Sequence, residues 1–235
     1  MSSETIQYFG KDLEAMSFAH NYHEWLLDEI SPFLTGNVAE VGAGMGNFSD
    51  FILSTGVNYL TAFEPSENMY PLLEKRFADN KKVETVSAFF EDQSRQYKNS
   101  FDSVLYINVL EHIEDDKNAL VHTYETIKPG GHILIFVPAL AFLYSDLDKE
   151  LGHFRRYSKQ SLVDVVEAAG FTVNMVKYFD IAGIIPWYIA FVLLKHTTTE
   201  GNVSAYDKLV VPIMRRVEQV ITPFIGKNLL LVASK

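Results

Sequence analysis

Three glycines and two acidic residues form the part of this sequence that is best suited to binding a small molecule. Gly42, Gly44 and Gly46 follow a short apolar run that contains Glu40, in the order V-A-E-V-G-A-G-M-G. Glycines at alternate positions let a backbone approach a ligand closely, and the G-x-G-x-G spacing is shorter than the dinucleotide fingerprint. Glu40 suits a ligand with an ammonium group, and Glu64, which ends the next apolar run, can accept ribose hydroxyls. The combination therefore favours such a ligand over one that carries two phosphates.

Two histidines could supply a general base beside such a site. His112 lies in V-L-E-H-I after a predicted strand, and His153 lies in G-H-F-R-R-Y. A base is needed only when the acceptor must lose a proton, and His112 could instead orient its loop. Arg155 and Arg156 could clamp a carboxylate or phosphate of the acceptor, or one could pair with a nearby acid and fasten the loop. Tyr157 fits a packing residue better than an acid.

The elements that must position these residues alternate between strands and helices. A helical period precedes the glycines over Asp12–Ile30, and apolar runs predict strands near Tyr59–Phe63, Val83–Ala88, Phe101–Ile107 and His132–Val137. This alternation is typical of an α/β fold with a largely parallel sheet. Ligands of such sheets gather at the carboxyl ends of the strands, which is where Asn108 and His112 fall.

The chain resembles the class I S-adenosylmethionine-dependent methyltransferases over roughly Val38–Phe171. The matching segments are E-V-G-A-G-M-G, the Glu64 strand end, F-D-S-V-L-Y-I-N-V-L-E-H-I, K-P-G-G-H-I-L-I-F-V-P and G-H-F-R-R-Y-S, the last resembling a bacterial subgroup of small methyltransferases. The resemblance implies S-adenosyl-L-methionine as cofactor. It also implies a Rossmann-like, doubly wound sheet of about seven strands, mostly parallel with the last antiparallel. The cofactor-binding residues that it implies are Glu40, Gly42, Gly44, Gly46, Glu64, Pro65, Phe90, Glu91 and Asn108.

The same resemblance assigns contacts at the two ends of the cofactor. Phe90 could cover the adenine, with Glu91 or Asp92 beside its amino group, and the alternative is an ordinary solvated acidic turn. An N-terminal helix often lies over the cofactor in this family, so Tyr8 or Tyr22 could touch it. The alternative for both tyrosines is a helix that packs on the sheet edge.

Composition bounds the class of protein and its partners. With 235 residues, 48% hydrophobic and 21% charged, the chain is expected to fold as one domain over residues 1–235. A net charge of −10 argues against a nucleic-acid partner, because phosphates need a basic surface. The absence of cysteine excludes disulfides and fits a cytoplasmic location, and the scattered histidines predict no metal site. We expect no signal peptide, a small-molecule acceptor, and a monomer or homodimer.

An insertion of about 45 residues, near Phe179–Lys227, precedes the last predicted strand. Its first helical run, Ile181–Leu194, is almost wholly apolar but too short to span a bilayer. A second run covers about Tyr206–Ile221. The two runs could bury each other or form a dimer face, could form a lid in which Trp187 grips an aromatic or lipid-like acceptor, or could rest on a membrane surface.

Three classes of function remain open from sequence. The preferred one is an enzyme that moves a methyl group from S-adenosyl-L-methionine to a small molecule by in-line displacement. A non-catalytic module that retains the cofactor pocket is the second. A nicotinamide-dependent oxidoreductase is the third, and the early Gly46 counts against it because the dinucleotide motif has a longer spacing.

Overall fold

A single seven-stranded sheet organises the chain, and the computed structural model describes residues 19–195 and 200–235. The strands are β1 Asn37–Val41, β2 Tyr59–Phe63, β3 Val83–Val86, β4 Phe101–Ile107, β5 Ile127–Pro138, β6 Thr172–Phe179 and β7 Asn228–Ser234. Their order across the sheet is β3-β2-β1-β4-β5-β7-β6. Only β7 runs antiparallel to its neighbours β5 and β6. The predicted Rossmann-like topology, with an antiparallel last strand, is confirmed.

Helices connect the strands. They are α1 His20–Ile30, α2 Asn47–Ser54, α3 Tyr70–Phe77, α4 Phe90–Gln93, α5 Asp116–Thr126, α6 Asp146–Glu150, α7 Lys159–Ala168, α8 Ile184–Trp187, α9 Glu200–Leu209 and α10 Val211–Val220. A π-helical segment, Tyr188–Leu193, continues α8. Side-chain caps set some of the starts, and the Ser158 hydroxyl accepts the Ser161 N–H at 3.0 Å in front of α7.

The sheet is buried on both of its faces. Successive side chains of a strand point to opposite faces, and in β4 Val104 and Tyr106 belong to one apolar core while Leu105 belongs to the other. Strands covered on both sides read as continuous apolar runs, which is why β4, β5 and β7 are recognisable in the sequence. Their polar residues fall at the strand ends, and there the site is formed.

Helix α1 contributes to the core through Tyr22, and this favours one of the two alternatives that the sequence left open. The Tyr22 ring packs edge-on against Trp25, Phe136 and Phe179, and its hydroxyl accepts a hydrogen bond from Asn228 at 2.5 Å. Tyr22 is therefore a core residue and does not touch a bound ligand, which is the packing alternative. The earlier part of the predicted Asp12–Ile30 helix and Tyr8 lie outside the described residues.

The insertion is tied to α1 by a buried aspartate. Asp207 of α9 accepts the N–H groups of Asn21 at 3.1 Å and Tyr22 at 2.9 Å, and also the Asn21 side-chain amide at 2.9 Å. These N–H groups belong to the first turn of α1, where no intrahelical partner exists and where Ala19 supplies no side-chain cap. A residue 186 positions away thus caps the helix.

Replacement of Asp207 should measure this long-range cap. We expect Asp207→Ala to lower the free energy of unfolding by about 1–3 kcal/mol, because it strands buried N–H groups. Urea unfolding followed by circular dichroism would measure the change. Asp79→Ala, at an exposed position after α3, is the control and should change stability by less than about 0.5 kcal/mol. Equal stability of the two variants would contradict the cap.

The insertion divides into two parts that dock at different places. The first part packs on the connection after β5, where the Trp187 indole N–H donates to the Leu143 carbonyl at 3.1 Å. The second is not one helix, since α9 ends at Leu209 and α10 begins beside Pro212, and both pack against α1. Within the described ranges, every helix is too short or too polar to cross a bilayer.

Candidate functional site

The carboxyl ends of β1, β2 and β4 border one cavity of about 800 Å³. Such a volume accommodates a ligand the size of a nucleoside with an attached side chain. Of the residues predicted from sequence, those that line it are Glu40, Gly42, Gly44, Glu64, Pro65, Phe90, Glu91, Asn108 and His112. Those that do not line it are Gly46, His153, Arg155, Arg156, Tyr157 and Trp187.

The glycine loop needs glycine for a reason that the sequence did not reveal. Gly42, Gly44 and Gly46 have φ angles of 68°, 57° and 81°, in the left-handed region that L side chains rarely adopt. A Cβ atom on Gly42 would lie 2.6 Å from the Val109 side chain, and one on Gly46 would lie 2.5 Å from the Phe77 ring. At positions 42 and 46 the missing Cβ atom leaves room for a neighbouring protein side chain. Gly46 therefore allows α2 to pack on α3, and it does not line the cavity.

Glu64 joins the glycine loop to the end of β2. Its carboxylate is buried and accepts the Gly44 N–H at 2.8 Å through Oε2 and the Ser66 N–H at 2.9 Å through Oε1. The Ser66 hydroxyl also donates to Oε1. A carboxylate has about four acceptor positions, so this one keeps capacity for one more donor from the cavity.

Glu40 is a buried acid with an altered proton affinity. It projects from the end of β1 into the cavity lining and accepts a hydrogen bond from the Ser49 hydroxyl. Burial raises the pKa of Glu40 to about 8, and the Ser49 hydrogen bond only partly opposes this shift. Glu40 is consequently neutral at pH 7, and a cation in the cavity would favour its ionised form.

The Glu40 pKa makes a prediction for stability. Between the ordinary carboxyl pKa of about 4.5 and the folded value of about 8, the unfolded chain loses this proton while the folded chain keeps it, so stability falls as pH rises. Glu40→Gln should keep the Ser49 hydrogen bond and flatten this fall. Melting temperatures measured from pH 5 to 8.5 would show the difference. Glu167→Gln, exposed on α7, is the matched control and should retain the wild-type slope.

Aromatic and acidic residues after β3 form the adjoining wall. Phe90 lines the cavity but is mostly buried, with its ring edge-on to Phe63 at 4.9 Å, and the neighbouring Phe89 is the half-exposed ring. Glu91 also lines the cavity, and burial raises its pKa. Its Oε1 atom is buried with no hydrogen-bond partner in the part of the chain that is described. Asp92 is exposed and does not line the cavity, so Glu91 is the better candidate for an amino-group contact.

Helix α1 reaches the cavity through His23. The imidazole lines the cavity and packs edge-on against Phe48 at 5.5 Å and Phe51 at 5.4 Å. Burial lowers the pKa of His23 to about 4, so the ring is neutral at physiological pH. The predicted contact between the N-terminal helix and the site therefore involves the residue that follows Tyr22.

His112 and His153 meet at the opposite end of the cavity. Their rings are perpendicular with centroids 4.6 Å apart, but only His112 lines the cavity. Burial and the neighbouring His153 lower the pKa of His112 to about 4, against a backbone hydrogen bond with Leu151. The His153 Nδ1 atom lies 2.9 Å from Asp148, which directs that ring away from the cavity. His153 does not line the cavity, so its predicted catalytic role stays a prediction that this geometry does not favour.

The predicted absence of a metal site stays a prediction. Ligand atoms of Glu111, His112 and His153 lie within 4.8 Å of one another, and no ion is part of the structure. Glu111 and His112 are adjacent in sequence, but His153 reaches them only because the connection after β5 folds back. Spacing along the chain could not indicate this cluster.

Arg155 and Arg156 are both engaged in ion pairs, which corrects their assignment to the acceptor. Arg156 is buried and donates to Asp148 at 2.9 and 3.1 Å, and to the Ala139 carbonyl at 3.2 Å. Arg155 pairs with Asp116 at 2.7 Å. A guanidinium that is already satisfied by a carboxylate is poorly placed to bind a second one. Both arginines fasten their loop, which is the alternative that the sequence left open.

Tyr157 and Trp187 also serve the protein interior. The Tyr157 hydroxyl donates to Asp116 at 2.7 Å, and the ring is buried. The Trp187 ring covers the Arg156 guanidinium at 4.8 Å. Neither lines the cavity, and the lining includes no described residue of the insertion, which disfavours the lid among the three alternatives.

The remaining lining residues show what pattern reasoning missed. Asn108 was identified, and its positive φ of 52° and the bond from its N–H to the Phe136 carbonyl turn the chain after β4. The small and apolar residues that also line the cavity have no comparable pattern in the sequence. The missed residues that line the cavity include His23, Ala43, Met45, Met69, Phe89, Ile113, Asn118, Leu151, Gly152 and Phe154.

The charge of the lining is one-sided. It includes six acidic residues and, among the described residues, neither lysine nor arginine. The acids are Glu40, Glu64, Glu91, Glu114, Asp115 and Glu150. The cavity is therefore suited to ligands that are neutral or carry a net positive charge, and unsuited to phosphates without a counter-ion.

Comparison with known families finds a methyltransferase match over most of the chain. A family model described as a methyltransferase domain matches residues 18–175. Relatives from Bacillus cereus and Bacillus anthracis, each named an uncharacterized methyltransferase, are 26% identical over 133 residues. The match spans 56% of this chain and 59% of the length of these relatives.

Solved structures of similar fold extend over nearly the whole chain. A SAM dependent methyltransferase from Archaeoglobus fulgidus has a TM-score of 0.59 and 17% identity, covering 91% of this chain and 94% of that one. Phosphoethanolamine N-methyltransferase 2 of Haemonchus contortus, in complex with S-adenosyl-L-methionine, has a TM-score of 0.62 and 18% identity, covering 92% and 52%. The [4+2]-cyclase SpnF has a TM-score of 0.62 and 16% identity, covering 89% and 80%. At these identities the likeness concerns the fold alone.

Proposed function

The chain belongs to the methyltransferase-domain family, and we propose that it transfers a methyl group from S-adenosyl-L-methionine to a small neutral or cationic acceptor. The observation that carries this proposal is the arrangement of two buried acids and one half-buried acid along one cavity. Glu40 lies near the end of β1, Glu64 directly follows β2, and Glu91 lies in α4, the helix after β3. The glycine loop lies between the first two in the chain.

The acidic and apolar groups of the cavity fit the ammonium, the ribose and the adenine of this cofactor. The Glu40 carboxyl would take the ammonium of the methionine part, and the remaining acceptor position on Glu64 would take a ribose hydroxyl. The buried Oε1 atom of Glu91, which lacks a hydrogen-bond partner among the described residues, would accept the adenine amino group. Phe89 and Met69 offer apolar contact for the base. A pyrophosphate would instead meet three carboxyl groups without a lysine or arginine.

Cofactor binding should depend on Glu40 and on pH together. Because the free Glu40 is neutral below about pH 8 and an ammonium favours the carboxylate, affinity for S-adenosyl-L-methionine should rise from pH 6 to 8, by up to about tenfold per pH unit. Glu40→Gln should bind at least about tenfold more weakly, with less dependence on pH. Titration calorimetry in buffers of different ionisation enthalpy would also detect the proton released.

A matched control and a competing ligand make the binding test decisive. Glu67→Gln lies on the exposed turn after Glu64 and should bind as the wild type does. Wild-type affinity in the Glu40→Gln variant would refute the ammonium site. Tight binding of NADH with none of S-adenosyl-L-methionine would refute the family function and favour a nicotinamide-dependent enzyme.

The sulfonium of this cofactor supplies an electrophilic methyl group that an acceptor can displace in line. The protein must align the acceptor with the methyl group and exclude water from the cavity. The donor end is anchored by the acids, and the opposite end is bounded by His112, Ile113, Leu151 and the half-exposed Phe154 ring. These apolar side chains would hold an aromatic or aliphatic part of the acceptor, and the acidic lining disfavours a phosphorylated one.

His112 is the residue proposed to receive or orient a proton of the acceptor. Its pKa of about 4 leaves it neutral at pH 7, so it can accept a proton, but it is a weaker base than a histidine with an ordinary pKa. If it acts as the base, His112→Ala should lower methyl transfer roughly 10²–10⁴-fold with little change in cofactor affinity. His20→Ala, exposed at the start of α1, should leave both quantities unchanged. Near-normal turnover by His112→Ala would leave His112 a loop-orienting residue.

Identification of the acceptor requires a direct transfer assay. The protein would be incubated with S-adenosyl-L-methionine carrying a tritiated methyl group and with fractionated small molecules of a bacterial extract. Mass spectrometry of the labelled product would name the acceptor atom. Cofactor binding without any labelled product, across fractions that sustain other methyltransferases, would favour a cofactor-binding module over an enzyme.

A further inference from the structure

Helix α10 is oriented with its apolar side towards solvent. Five apolar residues of α10 and its flanks, and Phe224 just after it, form what we term the outer stripe. Ile213 is 64% exposed, Val220 is 85% exposed and Phe224 is 85% exposed. The members of the outer stripe are Leu209, Ile213, Val217, Val220, Ile221 and Phe224. The helical members repeat every three or four residues, so they share one face of the helix.

Polar contacts on the opposite side of α10 hold this orientation. Glu218 is buried and accepts the backbone N–H groups of Asp180 at 3.2 Å and Ile181 at 2.9 Å. Arg215 donates to Asp28 at 2.8 Å and to Glu24 at 3.1 Å on α1. A roll of the helix that buried the outer stripe would move Val211 and Met214 out of the core and would leave these charged groups without their partners. The stripe is therefore a stable outer surface of the folded chain.

The insertion as a whole carries one more basic than acidic residue, in contrast to the acidic chain. Residues 179–227 contain four acidic and five basic residues, although the chain as a whole has a net charge of −10. Asp180, Asp207 and Glu218 are buried. Lys208 and Arg216, by contrast, are exposed beside the stripe and have no carboxylate partner within the described ranges. Arg215 pairs with both Glu24 and Asp28 of α1, which leaves one net negative charge on this trio.

We propose that the outer stripe docks on an anionic lipid bilayer surface, with α10 lying in the plane of the interface. An interfacial helix combines an apolar face with basic residues at its edge, and aromatic side chains enter the boundary between headgroups and acyl chains. The stripe supplies the apolar face and Phe224, while Lys208 and Arg216 meet lipid phosphates. The helix rests on the membrane and does not cross it, in agreement with the length of α10.

A second copy of the chain is a less suitable occupant of this surface. A two-fold dimer brings the same patch of both subunits together, so Lys208 and Arg216 of both copies would be gathered in one interface. Anionic headgroups neutralise this charge instead. The first part of the insertion adds a further exposed apolar face, with Ile185, Ile189 and Leu193 at helical spacing. The insertion thus exposes clustered apolar side chains, whereas the apolar residues of an ordinary protein surface are scattered singly.

Vesicle sedimentation tests the proposal without cofactor or turnover, so its outcome is independent of the proposed function. The full chain would be mixed with sucrose-loaded vesicles of phosphatidylcholine alone or with phosphatidylglycerol in a 1:1 ratio, about 100 nm across. We expect the protein to sediment with the anionic vesicles at least about tenfold more strongly than with the neutral ones, and less strongly as salt is raised. Equal partition into both vesicle types, or no sedimentation, overturns the proposal.

Three variants locate the contact. Ile213→Ser combined with Val220→Ser should reduce partition at least about tenfold, and Arg216→Glu should reduce it to a similar extent. Leu72→Ser, at an exposed apolar position on α3, is the matched control and should bind as the wild type does. Unchanged melting temperatures would show that the exposed substitutions leave the fold intact.

The variants also distinguish the competing occupant. Light scattering of the free protein should give a monomer mass for the wild type and for the double variant. A wild-type dimer that the double variant dissociates would assign the stripe to a second copy and overturn lipid docking. Undiminished vesicle binding by both the double variant and Arg216→Glu would overturn it as well.

Discussion

The site depends on one constraint, which is that the buried carboxylate of Glu64 must be satisfied by hydrogen bonds without water. Leaving such a group unpaired costs about 1–3 kcal/mol or more, so the glycine loop and the turn after β2 must bring N–H groups to it. Gly44 and Ser66 do so. The contact joins the ends of β1 and β2 and sets the donor end of the cavity. Glycine at position 42 then lets Val109 close the loop from the β4 side.

A second buried carboxylate, Asp148, plays the same part at the other end. Burial raises its pKa, but His153 and Arg156 more than compensate, and the net pKa is lowered. By holding both residues and the Ser145 N–H, Asp148 folds the G-H-F-R-R-Y segment back against the cavity. The Arg156 guanidinium, which the sequence offered as a ligand for the acceptor, is thereby paired within the protein. The cavity is left acidic, and that limits which acceptors it can take.

Buried polar contacts also decide what the insertion presents to solvent. The apolar period of α10 would ordinarily face the core, but Glu218 must reach two N–H groups near Asp180, and Arg215 must reach the acids of α1. These interactions outweigh the burial of a few side chains, because charged groups are costly to strand. The same rule applies to the cavity and to the outer stripe. In both, the need to hydrogen-bond buried polar groups decides where apolar side chains lie.

The sequence by itself determined the sheet, the glycine loop and the acids at the ends of β1 and β2, because these features are local and periodic. Continuous apolar strands, Ser158 as a helix cap and the Glu40–Glu64 pair all follow from residue type and short spacing. Only the tertiary structure decided which polar groups find one another across distant segments. It placed His23 rather than Tyr22 at the cavity, paired Arg156 with Asp148, and turned α10 outwards. Long-range pairing leaves no period in a single sequence, so these contacts could be read only from the folded chain.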